Sequence, residues 1–220
     1  MTGPLLLSAK LALVTTVLLL PLAMPIAWWL ASTCSAWKAP VQAVVALPLV
    51  LPPTVLGFYF LLFLSPDAPL GQLWVDLTGS TLTFSFAGLV VASLVYSLPF
   101  AVQPLQSAFE TLGRDQYEAA RTLGAAPLDA FLSVVVPLTL PGLVSAIVLT
   151  FAHTLGEFGI VLMVGGNIPG ETRTLSIAIY DHVENLEYGD AFMLSGILLG
   201  TAFAVLLLTF VINQRARRAR

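Results

Sequence analysis

Arg114, Asp115, Glu118, Arg121 and Asp129 fall between two hydrophobic runs of this chain. Charges at that density are costly in hydrocarbon, so the segment they occupy lies outside a bilayer core. Glu118-Ala119-Ala120, with Leu123 and Ala126, reads as a short helix with a small, partly apolar face. Gly124 allows close backbone approach there, and Pro127 limits how far the helix runs. A surface helix held between two spans is shaped to dock into a groove on another protein. A second polar group lies inside a hydrophobic run, where Thr150, His153, Thr154 and Glu157 form a stripe at helical spacing. His153 and Glu157 share a helix face and can pair. A buried hydrogen-bonded pair that orients the span and a gating role both fit, since an ionisable residue inside a span is a functional candidate by default. Two ligands are too few for a metal site, and the sequence has no Ser-His-Asp set and no phosphate-cradling glycine loop. Catalysis within this chain is unsupported.

The elements that must hold these residues are membrane spans. Of 220 residues 58% are hydrophobic and 10% charged, with a mean hydropathy of +0.93; soluble domains carry about 25% charged residues. The apolar blocks have the length a bilayer demands, roughly 20 residues each. The expected fold is an all-α integral membrane bundle forming one domain, with spans at about 5–30, 41–64, 82–106, 138–164 and 191–212. Pro21 and Pro25 should kink the first, and Trp28 and Trp29 near its end suit the interface. Pro48, Pro52 and Pro53 break helical hydrogen bonding in the second. Freed carbonyls at membrane depth are tolerated inside protein or beside a water-filled cavity, so Pro52, Pro53 and Thr54 are either a packing kink or part of a solute path.

Sidedness follows from lysine and arginine. With five spans, Lys38, Arg114, Arg121, Arg215, Arg217, Arg218 and Arg220 fall on one side, and only Lys10 and Arg173 elsewhere. The positive-inside rule then places segment 114–130 and the basic tail 213–220 in the cytoplasm and the N-terminus outside. The outer loops collect Asp67, Asp76, Glu171, Asp181, Glu184, Glu187 and Asp190. The basic tail is explained by topology, which leaves nucleic-acid binding without support. A single cysteine, Cys34, excludes an internal disulfide. Thr33 before it does not suit a lipoprotein cleavage site, and cleavage of the first span as a signal peptide is not favoured.

Glu118-Ala119-Ala120, Gly124 and then Val134-Val135-Val136-Pro137 resemble the EAA loop of ABC importer permeases, with Val134 and Val136 replacing the usual Ile and Leu. Four further stretches extend the resemblance to nearly the whole chain: 47–55, 138–142, Leu155-Gly156-Glu157-Phe158-Gly159, and 167–174 with Asn167, Glu171, Thr172 and Arg173. Together they are similar to the molybdate permeases of that superfamily; the 155–159 stretch is shared with sulfate and tungstate permeases, and 167–174 favours molybdate. The resemblance implies a type I permease fold in a bacterial inner membrane and a homodimer with the path at its interface. It also implies a cytoplasmic ABC ATPase seated on Glu118, Ala119, Ala120, Leu123 and Gly124, with ATP and magnesium bound by that partner and no cofactor on this chain. An extracytoplasmic molybdate-binding protein would deliver the oxyanion to the outer face, where the 167–174 loop lies. One departure stands out: His153 occupies a position where arginine is expected, and a histidine is not permanently charged. The alternatives are the same machine carrying sulfate or tungstate, and an ATP-independent carrier or structural membrane subunit.

Overall fold

A computed structural model describes the backbone of residues 2–218 and the side chains of 3–211. The described residues are helical or in turns, in the order α1 (Thr2–Ser32), α2 (Lys38–Val50), α3 (Pro53–Leu64), α4 (Pro69–Thr78), α5 (Phe86–Tyr96), α6 (Leu98–Leu112), α7 (Asp115–Thr122), α8 (Pro127–Ala130), a π turn (Phe131–Val135), α9 (Val136–Leu138), α10 (Leu140–Leu155), α11 (Gly159–Gly165), α12 (Leu175–Glu184) and α13 (Tyr188–Arg218). Among the described residues three stretches are long and apolar enough to cross a bilayer, Gly3–Ser32, Phe86–Leu112 and Tyr188–Val211, and the total reaches five if each of two bent pairs counts as one span.

The bends have local causes. Leu51 and Pro52 each precede a proline and are pushed into extended backbone, so α2 stops and α3 restarts at Pro53, bent by 109°. At about 20 Å, α2 with its 13 residues cannot cross the ~30 Å core alone. The second span expected at 41–64 is therefore an angled pair rather than a rod. Pro137 has no N–H to offer the preceding turn, and the π turn lies just before it. A second bend of 80° follows between Leu138 and Leu140. The span expected at 138–164 thus ends at Leu155, and α11 is a separate short helix. The outer loops expected at 65–81 and 165–190 contain helices α4 and α12. The helix α13 carries on to Arg218, and the side chains of the basic tail lie outside the described residues.

The core is built where α1 packs on α6 and α10, with α5 and α11 against α3 completing the other half. At one end Arg114 donates to the Ser32 carbonyl at 3.3 Å, and Lys38 pairs with Glu110 at 3.3 Å. At the other, the Leu175 N–H donates to Ser8 Oγ at 2.8 Å and the Phe84 N–H to the Val164 carbonyl at 2.9 Å. The end of α6, α7 and the α1–α2 turn therefore share one rim, and the start of α1, α11 and α12 share the opposite one.

Candidate functional site

The charged segment forms α7 and a tight stop. Asp115 and Glu118 occupy the first turn and Arg121 the last, which complements the helix dipole, and Arg114 Nε pairs with Glu118 at 3.2 Å. The helix closes with a Schellman motif: the Gly124 N–H donates to the Arg121 carbonyl and the Ala125 N–H to the Ala120 carbonyl, both at 3.1 Å. Arg121 also donates to the Ala125 carbonyl. Gly124 sits at φ +94°, and a Cβ there would meet nothing within 4 Å. Its glycine thus serves the left-handed turn, which corrects the expectation of a close backbone approach within this chain. Leu123 and Ala126 lie beyond the helix, and Pro127 begins the next one. Glu118 and Ala119 are exposed, Ala120 is half-buried, Leu123 is 89% exposed and Leu128 is 68% exposed. An apolar tip beside a charged helix is thus presented at one rim of the bundle.

The polar residues at the end of α10 and on the turn after it meet Ser93 of α5 and Ser97 at the α5–α6 junction. His153 Nδ1 lies 3.0 Å from Ser97 Oγ, which is 2.9 Å from Thr154 Oγ1. The His153 ring stacks on Phe100 at 3.9 Å and lies 4.9 Å from Tyr96. Ser93 Oγ donates to Glu157 Oε2 at 2.6 Å, and Glu157 is 4% exposed with Oε1 unpartnered. The expected pairing of His153 with Glu157 is absent: α10 ends at Leu155, so Glu157 lies on a turn, off the helical face that carries His153. No lysine or arginine takes part in these bonds. Ser93 and Ser97 were missed in the sequence, although two serines four apart in an apolar run mark one polar helix face.

Pro53 abuts the same region, since a Cβ on Gly159 would lie 2.8 Å from Pro53 Cβ. The α2–α3 break and the Glu157 turn are therefore neighbours, while Pro52 and Thr54 face outward, exposed. A cleft of about 570 Å³ opens between α6 and α10 near the α7 rim, lined by Ser107, Thr111, Gln116, Thr139 and Ser145 among small apolar residues.

The loop at 167–174 is a self-bonded cap. Arg173 Nε donates to Asn167 Oδ1 at 2.6 Å, Asn167 Nδ2 donates to Asp181 Oδ1 at 3.0 Å, and Arg173 pairs with Asp181 Oδ2 at 3.3 Å. Thr172 is fully buried and donates to the Gly165 carbonyl at 2.6 Å. Of the four residues expected at the outer face only Glu171 is exposed; Thr172 and Arg173 hold the loop together, and Asp181 is the partner missed in the sequence. Nearby, Tyr180 donates to Glu184 Oε1 at 2.6 Å, a bond that raises the phenol above its ordinary pKa. His182, Glu187 and Asp190 bring ligand atoms within 4.8 Å of one another, a grouping the sequence reading did not consider. His182 and Glu187 already bond each other at 2.6 Å, tying α12 to the start of α13.

Residues 12–218 match the family described as binding-protein-dependent transport system inner membrane component. The chain is 58% identical over 200 residues to the molybdenum transport system permease protein ModB of Azotobacter vinelandii, covering 91% of this chain and 88% of that protein. It is 39% identical over 179 residues to ModB of Escherichia coli K12, covering 81% and 78%. The sulfate transport system permease protein CysT of the same bacterium is 33% identical over 192 residues, covering 87% and 68%. Among solved structures, an inward-facing MetNI methionine ABC transporter superposes with a TM-score of 0.73 at 18% identity, covering 96% of this chain and 94% of that one. A bacterial alginate ABC transporter gives 0.76 at 16% identity, covering 98% and 78%. These two likenesses concern the fold alone. By sequence over almost its whole length, the chain belongs to the binding-protein-dependent transport system inner membrane components.

Proposed function

We propose that this chain is the membrane-spanning permease of an ATP-binding-cassette importer that carries molybdate, with tungstate, into the bacterial cytoplasm. The observation that carries this reading is 58% identity across 91% of the chain to a molybdenum permease, against 33% to a sulfate permease. In this reading two copies form the path, α7 and the exposed Leu123 tip seat on a cytoplasmic ATPase, and an extracytoplasmic binding protein delivers the oxyanion to the rim of α11 and α12. The basic residues Lys38, Arg114 and Arg121 then face the cytoplasm, with the N-terminus outside. ATP closes the ATPase pair, the coupling helices move, and the path alternates its access. The polar interior fits a weak transit site: the hydroxyls of Ser97 and Thr154 and the His153 imidazole are bonded there without a fixed cation, and a dianion held by fixed arginines could not leave. Specificity then rests mainly with the binding protein.

The test is ATP-dependent uptake in vesicles holding this chain, its ATPase and its binding protein, with molybdate, tungstate and sulfate in competition. Molybdate and tungstate should outcompete sulfate, and uptake should vanish without the ATPase. Uptake that persists without the ATPase would overturn the reading, and a preference for sulfate would reassign the cargo.

A further inference from the structure

Trp28 sits where four elements meet. Its ring lies 5.5 Å from Phe109 of α6 at 87°, 5.3 Å from Tyr117 of α7 at 61°, and 5.4 Å from Phe131 of the π turn at 64°. Phe109 and Phe131 close the set at 5.8 Å. All these contacts are edge-on or tilted, the arrangement aromatic pairs prefer. The sequence placed Trp28 near the end of the first span, and the structure packs it there against the core that contains Leu30, Phe109 and Val135.

The cluster matters because α7 has little else to hold it. No residue of α7 is buried, and Tyr117 is its one aromatic ring. The polar contacts at this rim, Arg114 to the Ser32 carbonyl, Arg114 with Glu118 and Lys38 with Glu110, are all exposed, and exposed pairs contribute least. A displacement of α7 therefore reaches the bundle by two routes. One is covalent, back through Gly113 to α6 and on through α8 and the π turn to the bend before α10. The other crosses the rings to α1 and α6.

We propose that Trp28 is a positioning residue that clamps the coupling helix to the first and third spans, so that a stroke on α7 moves α1 and α6 together with α10. The proposal rests on the reading of α7 as the ATPase-docking helix. It does not need Trp28 to touch the ATPase or the solute.

The experiment measures ATP hydrolysed per molybdate carried by the complete reconstituted transporter, normalised to assembled complex. Trp28→Leu and Tyr117→Leu each remove one ring from opposite sides of the joint. Each should raise the ratio about threefold to tenfold, the size of coupling changes seen for residues that touch neither ligand. The double variant should be no worse than either single, because both remove one joint. Tyr117→Phe keeps the ring and should keep the native ratio. Tyr117 lies on a helix without buried residues, so its variant leaves the bundle folded even where Trp28→Leu does not. A merely structural role lowers the amount of assembled complex and leaves the ratio per complex unchanged; that outcome, or additive effects in the double variant, overturns the proposal. Leu123→Asp, on the exposed tip away from the rings, tests the docking reading separately: if it leaves ATPase assembly intact, the docking reading fails whatever the rings do.

Discussion

Glu157 is a carboxylate with one oxygen on the Ser93 hydroxyl and the other unpartnered in a buried turn. An orienting role and a gating role make different demands on it. Glutamine can still accept the Ser93 bond and carries no charge to desolvate, whereas alanine leaves Ser93 without its partner. Glu157→Ala should lower stability by about 1–3 kcal/mol, read as thermal unfolding of the purified chain in detergent. Glu157→Gln should unfold no earlier than the native chain and keep molybdate uptake. Loss of uptake in a stably folded Glu157→Gln chain would assign the residue to gating through its charge. The sequence brought His153 and Glu157 to attention as ionisable groups in an apolar run. It could not show that they take different partners, because the pairing argument needs an unbroken helix and Gly156 ends it. Their actual partners, Ser97 and Ser93, lie more than fifty residues earlier, a distance that no local periodicity reports.

At the scale of the element, the α7 stop is the part whose local chemistry says most about performance. Gly124 occupies left-handed backbone that costs an L-residue roughly 1–2 kcal/mol, with open space around it. Gly124→Ala should therefore re-aim Leu123 rather than create a clash and, on the proposal that α7 seats the ATPase, weaken that docking about tenfold for each 1.4 kcal/mol of strain. Gly124→Asn, a residue that tolerates this region, should retain most of the docking. Affinity of the detergent-purified chain for its ATPase checks both, and equal affinities for the two variants would remove the turn from the argument. Elements written in local code were readable in advance. The run of prolines marked the α2–α3 break, and the charge density marked α7. The separation of α11 from α10 was not readable, because 138–164 reads as one mainly apolar run despite its polar stripe and hydropathy does not see a chain change direction. The sizes of the bends, 109° at the proline break and 80° before α10, were hidden for the same reason.

At the scale of the whole molecule, the bundle has two distinct rims and one free thiol that reports on them. Cys34 is exposed in the turn between α1 and α2, two residues from Ser32, whose carbonyl accepts from Arg114. It therefore lies on the α7 rim and shares whatever compartment α7 faces. The basic residues that suggested this rim's sidedness are consistent with its geometry, since Lys38 and Arg114 meet there, but charge bias only argues which compartment it is. If the rim is cytoplasmic, a membrane-impermeant maleimide should leave Cys34 unmodified in intact cells or spheroplasts and modify it in inverted membrane vesicles. A serine at position 34 should abolish the signal, since the sequence holds no other cysteine. Labelling from the outside of sealed cells would invert the topology. It would then place α7 where no cytoplasmic ATPase could reach it, so one native side chain tests the compartment on which the import mechanism depends.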